Sequence, residues 1–174
     1  NPSIELLNAI ADLISAGIIK NKKRVMSLCK AAFGLVQNES LDIEVRRNSI
    51  VILAGLLGSD YLNEKAILNI IDVTVALACF VMTEETESID LDFCDEIFEM
   101  ILNDSPDTLD IIAHAAEPYG NEGAEVIFYA AKITIEKHQY EFDDLEFIEG
   151  INTEFPSHPI YLEFVKTFFS VVPR

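Results

Sequence analysis

The sequence predicts an all-α protein, a right-handed superhelical stack of paired or triple helices, about nine in number. Two observations carry that expectation. Apolar residues recur with the 3.6-residue helical period along nearly the whole chain. Equivalent helix ends also return every 43 to 45 residues, at Leu13, Leu56, Met100 and Leu145. A period of that size is the mark of a helical solenoid, whose units stack because none buries its apolar face alone.

Ile4, Leu7, Ile10, Ala11, Ile14 and Ile18 form the first stripe, with Pro2 and Ser3 as start signals and Gly17 as a stop. The second is entered through Lys22, Lys23 and Arg24 and carries Val25, Leu28, Cys29, Ala32, Phe33 and Val36. A third runs from Asp42 to Gly58 on Val45, Ser49, Ile52, Leu53, Leu56 and Leu57. The fourth starts near Asp60 and reaches about Met82; from Val73 onward it is apolar on all sides, which predicts burial of its second half.

An acidic linker, Thr83 to Asp90, separates these from a fifth helix on Phe93, Ile97, Met100 and Ile101 that ends at Asn103. Ser105-Pro106-Asp107 opens a sixth, with a capping oxygen followed by proline at the first helical position. That helix stops before Pro118. Asn121 is the expected cap of a seventh on Ala124, Ile127, Phe128, Ala131 and Ile135. Asp143 to Ile151 and Pro159 to Val171 supply the eighth and ninth. The runs Val73-Thr74-Val75 and Ile133-Thr134-Ile135 have strand-like composition, but no turn residues bound them.

The stretch from Asp42 to Leu57 resembles the inner-helix signature of armadillo and HEAT repeats. In that signature an Asp is followed three residues on by Val, then Arg, then a small residue and a Leu at helical spacing; here Asp42, Val45, Arg46, Ser49 and Leu53 take those places. Each residue type has a physical reason. Asp caps the helix and complements its dipole, a small residue lets neighbouring helices approach, and Leu fills the core. The resemblance implies an α-solenoid that binds protein partners. Gly55 stands where the armadillo groove asparagine would fall, so that family's clamp on peptide backbone is missing from this repeat.

Composition narrows function further. The chain has 174 residues, of which half are hydrophobic, and 12 basic against 30 acidic side chains, for a formal charge of −18. Such a chain is too apolar to be disordered and too acidic to grip a nucleic-acid backbone. Its longest apolar stretch, Val73 to Met82, is about half a bilayer crossing. Three cysteines (Cys29, Cys79, Cys94) without a CxxC spacing fit a reducing, intracellular compartment better than a disulfide framework. The first residue is Asn rather than Met, so the expectation for residues 1–174 is one helical-repeat domain cut from a longer chain.

No catalytic motif is expected. His114, His138 and His158 are isolated from any second ligand at metal spacing. Asp90, Asp92 and Asp95 are spaced like part of a calcium loop, but the turn glycine is missing and Cys94 replaces an oxygen donor. Glu122 with Glu125, or Asp143 with Asp144, are the carboxylate pairs available for acid–base work. The three cysteines fall on apolar helix faces, where buried inert thiols are the default. The expectation is therefore no enzyme, no cofactor and no metal.

Charge is distributed unevenly. Residues 1–58 hold seven basic and five acidic side chains, whereas residues 59–174 hold five basic and 25 acidic. Between Lys65 and Lys132 there is neither Lys nor Arg. A run of carboxylates there nominates Glu84, Glu85, Glu87, Asp90, Asp92, Asp95 and Glu99 as the surface that steers a basic protein partner. An acidic inhibitor, either an immunity protein or a DNA mimic, is the alternative, and a helical enzyme with an unrecognised site the third reading. The cluster Lys20, Lys22, Lys23 and Arg24 opposes the dipole of the helix it opens, which leaves an exposed loop or an anion contact as its explanations.

Overall fold

The computed structural model describes residues 2–83, 89–102 and 108–136. Among them the secondary structure is entirely helical: α1 (Ile4–Ser15), α2 (Lys22–Val36), α3 (Ile43–Leu57), α4 (Glu64–Thr83), α5 (Ile89–Leu102), α6 (Thr108–Ala116), a short 3-10 turn (Glu117–Tyr119) and α7 (Gly120–Glu136). The expected eighth and ninth helices, the repeat position Leu145 and the Ser105 cap lie outside the described residues. The chain divides into two compact units, residues 1–74 and 75–174.

In the first unit, local chemistry sets each helix end. The Ser3 hydroxyl accepts the Leu6 N–H at 3.3 Å and starts α1. The Glu5 carboxyl is held below its usual range, first by its own backbone N–H and then by Ser3. At the other end, Gly17 takes φ 64°, and the Ile18 N–H reaches back to the Leu13 carbonyl at 3.0 Å while the Gly17 N–H bonds that of Ile14 at 2.8 Å. This is a Schellman stop, open to glycine because a Cβ is strained at positive φ. Asn21 caps α2 through the Lys23 and Arg24 N–H groups, and Asp42 caps α3 through the Glu44 N–H at 2.9 Å.

α3 packs against both α1 and α2. It buries residues over most of its circumference, at Val45, Ser49, Ile50, Ile52, Leu53, Ala54, Leu56 and Leu57, and leaves Glu44, Asn48, Val51 and Gly55 as the less covered face. Ser49 sits in that core because its hydroxyl bonds the Val45 carbonyl one turn back at 2.7 Å. The Arg46 Nε donates to the Val36 carbonyl at 2.8 Å, placing a cation on the C-terminal end of α2, where the helix dipole favours one. Arg47 is buried beside it and pairs with Glu44 at 3.0 Å.

In the second unit, α7 has the matching role. Ala124, Val126, Ile127, Phe128, Tyr129, Ala130, Ala131 and Ile133 are buried along it, and it packs against α5 and α6. The Phe98 and Tyr129 rings meet across α5 and α7 with centroids 6.4 Å apart and planes tilted by 59°. A Cβ at Gly123 would run into the backbone carbonyl of Ala116, so only glycine lets α7 approach the end of α6 this closely.

Several sequence expectations need correction. α4 begins at Glu64 rather than near Asp60, because the Asn63 side chain caps it through the Ala66 N–H at 2.9 Å. α5 begins at Ile89, so Asp90 lies in a helix and not in a linker. Asn121 is inside α7, which starts at Gly120, where φ is 59°. The second half of α4 is buried as expected at Val73, Val75, Leu77, Ala78 and Cys79, although Phe80 is exposed. Leu13 and Leu56, equivalent in the sequence repeat, differ: Leu56 is 2% exposed and Leu13 41%.

Leu53 has no accessible surface, and replacing it with Ala should cost about 2–5 kcal/mol in chemical denaturation. Asp42→Ala, which removes one cap, should cost about 0.5–2 kcal/mol. A larger loss at Asp42 than at Leu53 would contradict this division of labour. Two glycines should respond with opposite signs. Gly34→Ala, in mid-α2 facing open space, should stabilise by about 0.5–1 kcal/mol, whereas Gly123→Ala should destabilise by about 1–3 kcal/mol or more. Thermal melts of the two variants beside the parent are the check.

Candidate functional site

Of the seven nominated carboxylates, Glu84, Glu85 and Glu87 lie outside the described residues. Asp90, Asp92, Asp95 and Glu99 all take positions within α5. This helix extends further toward its N-terminus than its apolar stripe suggests. Ile89 and Leu91 continue the helical sequence there, and carboxylates in a first turn complement the dipole. Cys94, Ile97, Phe98, Ile101 and Leu102 are buried on α5, and Glu96 and Glu99 are exposed. Glu96 is thus a surface carboxylate of the same helix that the sequence nomination passed over.

The remaining chemistry-bearing groups do not converge. His114 is exposed at the end of α6, 3.7 Å from the equally exposed Glu117. His138, His158, Asp143 and Asp144 lie outside the described residues. Among the described residues, no three His, Cys, Asp or Glu side chains stand together as metal ligands, and no helix is long and apolar enough to cross a membrane. Compared with protein-family models, curated proteins and solved structures, the chain matches none.

Glu122 and Glu125, at the start of α7, are both half-buried and act on Cys79. Burial pushes the Cys79 thiol up to about 12, and the negative charges of the two carboxylates add to the shift. A thiol so placed is not a nucleophile, because the thiolate is the reactive form. Cys94 is buried too. Cys29 departs from the expectation of burial: it is half-exposed on α2, with its thiol raised by partial desolvation.

Thiol alkylation of the native protein should therefore modify Cys29 first, with Cys79 and Cys94 reacting on unfolding. At pH 8 the Cys79 thiol is held in its unreactive neutral form. The same shift has a consequence for stability. Keeping this thiol neutral costs the fold nothing below its ordinary value of about 9. As pH rises from there toward 12, only the unfolded chain ionises, and stability falls. The urea midpoint should thus drop more steeply above pH 9 in the parent than in Cys79→Ala. Parallel slopes would mean that Cys79 is not the group responsible.

Proposed function

We propose that this chain is a non-catalytic protein-binding module, a scaffold or adaptor, whose acidic surface engages a basic protein partner. The observation that carries the reading is charge segregation on a helical frame. Eleven carboxylates fall between Glu84 and Asp110 in a segment from 66 to 131 free of Lys and Arg, and Glu96 and Glu99 stand exposed on α5. Such a field speeds encounter with a Lys- and Arg-rich surface and repels nucleic acid and anionic membranes. In this reading the carboxylates are rim contacts that act on the association rate, and apolar side chains supply the lasting energy.

The same proposal takes the helices to continue as an armadillo- or HEAT-like superhelix. The 43–45-residue recurrence in the sequence motivates this, as does the Asp42–Leu57 segment, in which Asp42 caps its helix and Leu53 is buried as the resembled signature asks. A reducing, intracellular setting suits the three free thiols.

Charge reversal tests the acidic surface. A partner recovered by affinity capture is followed by stopped-flow association with the parent, with Glu84→Lys/Glu85→Lys/Glu87→Lys, and with Glu96→Lys/Glu99→Lys. On-rates should fall several-fold at low salt and converge near physiological salt, where the Debye length is about 8 Å. The fold should be unaffected by Glu96→Lys/Glu99→Lys, since exposed substitutions usually stay within about 0.5 kcal/mol. On-rates that match the parent's at both salts would reduce the carboxylates to a solubility device.

A further inference from the structure

The turn between α1 and α2 carries a second surface, opposite in charge to the acidic one. An open cavity of about 580 Å³ lies there, floored by Leu13, Ile18, Ile19 and Leu28 and edged by Lys23 and Arg24. Leu13 is 41% exposed and Ile18 63%, and both line this one cavity. The Schellman stop brings these two residues together, because it bonds the Ile18 N–H to the Leu13 carbonyl. The turn is anchored from a distance as well: the Tyr61 hydroxyl donates to the Lys20 carbonyl at 2.9 Å, across 41 residues of sequence.

The cations at this turn do nothing for the fold. Lys22, Lys23 and Arg24 occupy the first turn of α2, where positive charge opposes the helix dipole. Among the described residues, neither they nor Lys20 pair with a carboxylate. An anionic ligand would meet the dipole and the cations acting in the same direction. Charge complementarity therefore decides what fits: apolar anchors for the floor and carboxylates for the edge.

We propose that this groove is a docking site for an acidic amphipathic helix of a partner protein, with large apolar side chains at i, i+3 or i+4, and i+7 and Glu or Asp beside them. The cavity has room for two or three such side chains. The Lys23 and Arg24 stems extend the apolar wall, and their charged ends face the ligand's carboxylates. The chain's overall charge of −18 does not forbid this, because residues 1–58 are net +2 and distant charges are screened within about 8 Å at physiological salt. It does remove long-range attraction, so association is slow where the acidic surface makes it fast.

The test uses fluorescence anisotropy with three labelled 16-residue peptides. The first has an acidic amphipathic helical pattern. The second has the same composition with its apolar residues scattered around the helix, and the third keeps the apolar stripe with Lys in place of Glu and Asp. Only the first should bind in the groove. Its Kd should rise at least tenfold with Lys23→Glu/Arg24→Glu and with Ile18→Ser, all at exposed positions, with circular dichroism unchanged. The charge-reversal variant should melt no lower than the parent, since Glu suits the first turn of α2. Equal binding of the scattered peptide would reduce the site to bulk electrostatics, and equal binding of the basic peptide that Ile18→Ser weakens would reduce it to bare apolar contact; either overturns the proposal. An unchanged Kd in the variants does so too. Self-association of the parent in sedimentation, abolished by Lys23→Glu/Arg24→Glu, would make a second copy the occupant and overturn the assignment to a partner. The acidic surface can hold the basic peptide by itself, and such binding is recognised because Ile18→Ser leaves it unchanged, so the two readings fail separately.

Discussion

A helix that is apolar over most of its circumference cannot be covered by one neighbour, and α3 is such a helix. Ile50, Ile52, Leu53 and Leu56 point in directions that no single neighbour covers. α1 and α2 both have to pack against it before the burial is complete. Arg46 then ties the arrangement at one end, because its guanidinium sits in α3 while its hydrogen bond is to the last residue of α2. The apolar interaction is strong and undirected; the Arg46 bond is modest and fixes which end of α2 lies near the start of α3. Each supplies what the other lacks.

The same economy explains why the interior offers so little chemistry. The hydroxyls of Ser49 and Thr74 are satisfied by carbonyls four residues earlier on their own helices, and so need no partner from another element. The buried thiol of Cys79 is held neutral. Among the described residues, Glu96, Glu99 and the cations that open α2 stand exposed instead.

The first three helices were legible because their punctuation is chemical and local. Ser3, Asp42, Gly17 and Gly58 stand at the ends that periodicity marks, and each acts through its own side chain or φ freedom or closes the last turn. Where punctuation competes, the sequence misleads. Asp60 and Asn63 are both plausible caps, and the choice went to Asn63, whose side chain meets a helical N–H. Asn121 is preceded by Gly120, whose positive φ makes the turn one residue earlier. The acidic surface was visible as composition, but which carboxylates face solvent depends on where α5 begins, and so Glu96 was passed over. The groove was hidden for another reason. Ile18 ends the first apolar stripe and Leu13 lies off it, and nothing local shows that both stay uncovered or that Tyr61 reaches back to their turn.

That tyrosine also gives the molecule an optical property. The chain has no tryptophan and five tyrosines, so its ultraviolet emission comes from phenol rings alone. A phenol bonded to a carbonyl emits weakly, because excitation loosens its proton toward the acceptor. Tyr61 is exposed yet bonded to the Lys20 carbonyl, so its emission should be weak while the turn holds. Any event that opens the turn between α1 and α2 releases the phenol to water and brightens it. The protein thus carries its own lamp beside the groove, readable with no label attached.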